Sequence, residues 1–300
     1  MTKLLTTALS LIFLTPGVAI AKRTNKVIYG TDNRQETHLY GDKLFRKKAK
    51  SVAAMIPQTS MTIKKNGAYA LVGKTFKEHA QLCEGEKFSE QLAVSDCTAF
   101  LVGRSTMITA GHCAPTTTEC QKYNFVFGFV QDKRVIPAKD IYTCKRVMRQ
   151  KLDRGPLDNK RRDWAVIELD RPVTGRKRLK FRKKGAVAVG AELVLIGHPV
   201  GLPQKIADQA YVRSVGTKVY MMASTDSFGG NSGSPVFNQK TGLVEGILVR
   251  GEADFAVDWV NSCRRTNICP QDGCRGEGIT RITQLQLKKY ELRKRPRTKK

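Results

Sequence analysis

Three hundred residues, 41% hydrophobic and 7% aromatic, can bury one large core or two smaller ones, so neither a disordered chain nor a minimal disulfide scaffold is called for. The formal net charge of +27 predicts attraction to anionic partners such as nucleic acid, lipid headgroups or acidic proteins, and leaves the fold open.

The chain opens like an export signal. Lys3 supplies the positive end, Leu4 to Leu14 is mostly apolar, and Ala19-Ile20-Ala21 is a small-residue cleavage site, which assigns residues 1–21 to a signal peptide and starts the mature chain near Lys22. An apolar stretch of about a dozen residues falls short of the roughly 20 that span a bilayer. No later segment is longer and as apolar, so no transmembrane segment is expected in the mature protein, and a secreted location, periplasmic or extracellular, follows. Export puts Cys83, Cys97, Cys113, Cys120, Cys144, Cys263, Cys269 and Cys274 in an oxidising compartment, where an even count favours disulfides. Zinc is the competing use, since Cys269 and Cys274 are close. They lack a second close pair or nearby histidines, so neither metal nor cofactor is expected.

Residues 22–66 read as a polar lead-in or propeptide with Gly30, Gly41 and Pro57. Short β-rich runs then dominate: Tyr69 to Val72, Cys97 to Val102, Met107 to Ala110, Phe125 to Val130, Ile141 to Val147 and Trp164 to Leu169, a first all-β unit over 67–178. After a basic bridge, the runs Leu193 to Ile196, Ala210 to Val215, Val219 to Ala223, Pro235 to Asn238, Leu243 to Val249 and Phe255 to Val260 predict a second unit over 179–283. Thr283 as an N-cap before Leu285, Leu287, Tyr290 and Leu292 predicts a closing helix and basic tail over 284–300. Arg171 to Lys184 contains no acidic residue, and Lys288 to Lys300 only Glu291. Neither has the interleaved aromatics of a single-strand platform, so no specific nucleic-acid partner is expected; the tail is a candidate contact for an anionic surface.

Three segments carry chemistry. A serine hydroxyl needs an imidazole to take its proton, a carboxylate to orient that imidazole, and amides for the oxyanion. Thr109-Ala110-Gly111-His112-Cys113 runs a strand into a turn that presents His112, and a Cys97–Cys113 bridge would fix that turn. Arg162-Asp163-Trp164-Ala165-Val166 opens an apolar strand with a carboxylate, better placed than Asp158 or Asp170. Gly229-Gly230-Asn231-Ser232-Gly233-Ser234-Pro235 is a glycine-rich turn that brings the amides of Gly230 and Ser232 toward one point, the candidate oxyanion hole. His38, His79 and His198 lack such neighbourhoods and read as structural or surface residues.

These segments, in the order histidine, aspartate, serine, resemble the trypsin and chymotrypsin superfamily, and within it the bacterial branch that includes the glutamyl endopeptidases, over residues 69 to 285. The resemblance implies an all-β fold of two six-stranded antiparallel barrels with the site between them. It also implies a serine endopeptidase acting on protein or peptide, with His112, Asp163 and Ser232 as its triad. Asn231 stands where the digestive members have the aspartate that pairs with a new N-terminal amine, so that switch cannot operate; the bacterial branch shares the asparagine. Lys26-Val27-Ile28-Tyr29-Gly30 looks like the start of mature proteins of that branch, which makes cleavage after Lys26 a maturation step to test.

The resemblance also places Asp226, six residues before Ser232, at the base of the specificity pocket, with Ser227 beside it and Gly251 on an open wall, as in members that cleave after arginine or lysine. Against this, Asp226 would be an exposed loop aspartate next to Phe228, which replaces a family cysteine. Leu248 stands where glutamyl members have a histidine, which argues against glutamate. Cys120 with Cys144 would tie a loop to a strand, and the other four cysteines allow three pairings. The rival from another class is a catalytically silent homologue kept as a cationic binding module.

Overall fold

The computed structural model describes residues 27–153, 161–216 and 218–287. The expected signal peptide, the cleavage point after Lys26 and the basic tail lie outside the described residues.

Six strands close the first barrel: β1 (Val52–Pro57), β2 (Cys97–Leu101), β3 (Thr106–Thr109), β4 (Tyr123–Phe127), β5 (Ile141–Leu152) and β6 (Asp163–Leu169). Six more form the second: β7 (Glu192–Gly197), β8 (Lys205–Ser214), β9 (Tyr220–Ala223), β10 (Pro235–Asn238), β11 (Val244–Arg250) and β12 (Glu277–Arg281). The first runs β4-β5-β6-β3-β2-β1 and closes through β1 and β4; the second runs β10-β11-β12-β9-β8-β7 and closes through β7 and β10. The two circuits are therefore the same arrangement used twice, with every neighbouring pair antiparallel.

Several strands are buried on both faces because they pack against the other barrel as well as around their own interior. β7 illustrates the division: Leu193 and Leu195 join a cluster with Val212, Met221, Val236 and Ile279 inside the second barrel. The alternate residues Val194 and Ile196 join the core that runs into the first barrel through Phe100, Ile108 and Phe125. The chain crosses between barrels at Leu179, whose amide bonds Leu101, and Phe181, which bridges to Val244. Three arginines of the basic bridge fasten this crossing, while Lys177, Arg178, Lys180, Lys183 and Lys184 are exposed. Arg171 stacks 4.1 Å over Tyr142, Arg176 pairs with Asp140 at 2.6 Å, and Arg182 pairs with Glu245.

Three sequence expectations are corrected. The first barrel begins at Val52, not after residue 66; Tyr69–Leu71 belongs to a separate three-stranded sheet. Val52-Ala53-Ala54-Met55-Ile56-Pro57 alternates nothing, has two alanines and ends in proline, so it carried little strand signal although five of its residues are buried. Phe255–Asp258 lies in an outer hairpin with Cys263–Thr266, and the sixth strand of the second barrel is Glu277–Arg281, whose charged ends and glycine hid it. Ile282–Leu285 is a 3-10 turn, and the remainder of the expected closing helix beyond Leu287 lies outside the described residues.

All eight cysteines are bridged: Cys97–Cys113, Cys120–Cys144, Cys83–Cys263 and Cys269–Cys274. Cys83–Cys263 spans 180 positions and straps the loop after the Phe76–Ala80 helix to the outer hairpin. Replacing both with serine is expected to lower stability by about 2–5 kcal/mol in urea unfolding, since the unfolded chain regains a long loop. An unchanged midpoint would show that the strap carries no load.

Candidate active site

His112 sits in the turn that follows β3, where the Cys113 amide bonds Ala110. Gly111 makes the turn fit: a Cβ there would strike the Lys151 carbonyl and lie 2.9 Å from the Trp164 nitrogen, on the hairpin that β5 and β6 form. That hairpin carries Asp163 as the first residue of β6, opposite Leu152. The two elements meet in a double clasp. His112 donates its backbone N–H to Asp163 Oδ1 at 3.1 Å, and Nδ1 of its ring lies 2.7 Å from Asp163 Oδ2. Burial alone would raise the Asp163 carboxyl; the His112 charge and its hydrogen bonds, with the Arg250 charge behind them, outweigh it and hold the carboxyl below its usual range. Nδ1 is thus committed to the carboxylate, leaving Nε2 as the ring nitrogen directed elsewhere.

Ser232 is 4% exposed in the turn between β9 and β10. Its carbonyl accepts the Thr98 amide of β2 at 2.8 Å, and Cys113 Sγ lies 3.7 Å away from the same oxygen, so the disulfide next to His112 also touches the serine's main chain. Gly230 and Gly233 take φ of +79° and +90°, where side chains are strained, and a Cβ at Gly233 would strike the Thr98 carbonyl. The Gly229 carbonyl accepts from the Val200 amide, which turns the opposite edge of that peptide, the Gly230 N–H, away from the Val200 loop. Thr98 Oγ1 donates to the Gly230 carbonyl at 3.0 Å, fixing the other side. Asn231 is buried against Gly197 and Ser234. The structure therefore brings together His112, Asp163, the Ser232 backbone and Gly230.

His198, 100 residues from Thr98 in the chain, is fully buried, 3.3 Å from Thr98 Oγ1 and stacked on Phe129; burial holds its pKa at about 3, so it stays neutral. His38 and His79 are exposed. Cys97, Cys113 and His112 approach one another as a metal set would, but both sulfurs are spent in their disulfide.

The pocket residues are arranged differently from the sequence expectation. Asp226 is 1% exposed, not an exposed loop residue, and its carboxylate is turned toward the N-terminal segment: Oδ1 accepts the Tyr29 amide and Oδ2 the Asn33 amide, each at 2.8 Å. The Ser227 amide bonds the Val27 carbonyl nearby. The expected pocket partners Ser227 and Gly251 instead meet Glu277, the first residue of β12, which is fully buried. Ser227 Oγ donates to Glu277 Oε2 at 2.9 Å, and a Cβ on Gly251 would run into both carboxylate oxygens. Glu277 escaped the sequence reading because nothing local marks it. The one available signal was an acidic residue heading a β-rich triplet, Gly278-Ile279-Thr280, next to the chain's last glycine turn at Gly276.

Away from the site, Lys43, Arg46, Lys47 and Lys50, with Lys133 and Arg176, line a cleft of about 750 Å³ whose lining holds no acidic residue. No helix of the described residues is long and apolar enough to cross a membrane.

A family model described as Trypsin-like peptidase domain matches residues 97–247. Among solved structures, a Glu endopeptidase in complex with MPD is 15% identical, covers 87% of this chain and 96% of its own, and has a TM-score of 0.48. Rv3671c from M. tuberculosis H37Rv, solved as an inactive serine-to-alanine mutant, is 12% identical, covers 88% of this chain and 96% of its own, and has a TM-score of 0.44. No curated protein matches the sequence.

The Asp226 clasp has a measurable consequence. Burial raises the Asp226 carboxyl to about 6, against a partial lowering by the Tyr29 and Asn33 amides. An acid whose folded pKa lies above its unfolded value holds its proton more tightly when folded, so its contribution to stability is greatest in acid and is lost as pH rises through about 6. Urea unfolding of the wild type should therefore show a fall in stability across that window, and Asp226→Asn should flatten it. Equal slopes would show that Asp226 titrates normally.

Proposed function

The chain belongs to the trypsin-like peptidase domain family, and within it we propose a secreted serine endopeptidase that cleaves after arginine or lysine by acyl transfer. The observation that carries this reading is the double hold of Asp163 on His112, set beside the fixed main chain of Ser232.

Ser232 Oγ attacks the carbonyl carbon of the scissile bond and gives its proton to His112 Nε2. Asp163 keeps the ring oriented through Nδ1–H and stabilises the imidazolium without taking the proton. The tetrahedral oxyanion receives the N–H groups of Gly230 and Ser232, which the positive φ of Gly230 aims at one point. Collapse breaks the C–N bond, and the leaving amine takes the proton from His112. Water, deprotonated by the same ring, then releases the acyl group and returns the proton to Ser232.

Four disulfides fit an oxidising compartment, and export by residues 1–21 goes with this reading. Trimming after Lys26 fits the burial of Val27, Ile28 and Tyr29 as one packed segment. A basic tail over residues 288–300 that rests on an anionic surface is the partner contact expected from the charge.

The test is hydrolysis of short peptides ending in Arg, Lys, Phe, Ala or Glu by the purified mature protein. Ser232→Ala is expected to abolish turnover with the circular dichroism and unfolding midpoint retained, and Asp163→Asn to lower kcat by about four orders of magnitude. Full turnover in Ser232→Ala would remove the serine mechanism, and a silent wild type would favour the cationic binding module.

A further inference from the structure

We propose that Glu277, and not Asp226, is the acidic group that selects a cationic side chain on the acyl side of the scissile bond; this rests on the serine-peptidase reading above and names the residue behind its specificity.

The two carboxylates face different partners. Both Asp226 oxygens accept backbone amides, from Tyr29 and from Asn33, and those donors belong to the N-terminal segment that packs behind the pocket. Turning Asp226 toward a substrate would strand two buried N–H groups, which is expensive. Glu277 meets other partners, Ser227 and Gly251. It stands on β12 beside β11, where Arg250 pairs with Gly278, so its side chain reaches the next residue of that wall, Gly251. The missing Cβ at Gly251 is the space the Glu277 carboxylate occupies. Ser227 completes the contact with a hydrogen bond at 2.9 Å. Two residues that the family resemblance assigns to the pocket, Ser227 and Gly251, thus converge on a third.

The surroundings suit a charge that acts on a ligand. Glu277 has no exposed surface, so its interaction with an entering cation is weakly screened. A lysine or arginine stem entering along Gly251 meets the carboxylate and donates a charge-assisted hydrogen bond. A phenylalanine ring offers no donor there and leaves the carboxylate desolvated. Glu277 is fully covered and its carboxylate fills the space at Gly251, so entry of a cationic side chain requires the Gly251 wall and the Glu277 side chain to part.

The experiment compares kcat/KM for matched peptides ending in Lys, Arg, Phe, Ala and Glu across mature wild type, Glu277→Gln, Glu277→Asp and Asp226→Asn, with Ser232→Ala as the control for each preparation. Glu277→Gln is expected to lower the Lys and Arg values by roughly a hundredfold relative to Phe and Ala. Asp226→Asn should leave the ratio of Lys to Phe unchanged while altering stability. Glu277→Asp keeps the charge one methylene further back, so it should move the preference from Lys toward the longer Arg; this arm decides the matter if Glu277→Gln does not fold. Binding of benzamidine, an aryl amidine cation, to Ser232→Ala by calorimetry gives a readout free of turnover, expected to be lost when Glu277→Gln is added. The proposal is overturned if the cation preference follows Asp226→Asn, if it survives Glu277→Gln, or if the wild type prefers Ala and Glu277→Gln merely admits larger apolar residues. Absence of turnover in every preparation would count against the peptidase reading alone, with benzamidine binding still deciding the pocket.

Discussion

The amide of Thr98, on β2 of the first barrel, holds the carbonyl of Ser232, on a turn of the second, at 2.8 Å. The candidate site has half its residues on each barrel, so no local turn can set the distance between them; this bond and its neighbours do. Cys113 Sγ touches the same carbonyl while its disulfide runs back to Cys97, the residue before Thr98. Gly233 must lack a side chain for the two strands to come this close. The clasp between His112 and Asp163 is made by residues of the first barrel, with the charge of Arg250 from the second barrel acting on the carboxylate. What the pairing of barrels adds is a fixed serine backbone next to it, which is what makes preorganised geometry worth rate.

The segments of the candidate site around His112, Asp163 and Ser232 could be read because each is written in consecutive residues. A glycine-rich turn around Ser232, a His-Cys turn after a strand and an aspartate opening an apolar strand need only local rules to interpret. The double-barrel class was legible too, from short strands at regular spacing. The failures share a cause. Val52–Pro57 and Glu277–Arg281 are strands only because neighbours distant in sequence pair with them, and their own composition argues the other way. Asp226 was placed by its spacing from Ser232, and spacing is blind to the Tyr29 and Asn33 amides 197 and 193 positions earlier that occupy its carboxylate. A side chain's identity can be read from a motif; its partners are tertiary facts.

The charge tells a similar story. Composition treats 53 lysines and arginines as one reservoir of positive potential. The fold divides it. Arg34 is 1% exposed, forked on Asp32 and stacked 4.1 Å over Phe228, the aromatic that stands in the place of a family cysteine. Lys205 is buried 2.9 Å from Glu36, and burial still pulls its ammonium down to about 8. Arg171, Arg176 and Arg182 fasten the crossing between barrels. These cations are mortar. The field that anionic partners would feel comes from the remainder, concentrated in part where Lys43, Lys47, Lys50 and Lys133 share one cleft.

The segment read as a lead-in turns out to be a structural member of the second half. Gln35 and Glu36 extend the second sheet by pairing with Ile206 and Lys205, Ile28 and Tyr29 run parallel to Ile268 and Cys269, and the amides of Tyr29 and Asn33 occupy Asp226. Each contact ties residues 27–36 to an element of the second barrel or its loops, and none reaches His112 or Asp163. Loss of this segment would leave Asp226 a buried carboxylate without its donors, and the cost would fall on the loop from Asp226 to Gly229 that leads into the serine turn. The clasp of His112 and Asp163 belongs to the first barrel; the loop that runs from Asp226 into the Ser232 turn is held by a segment that precedes both barrels in the chain.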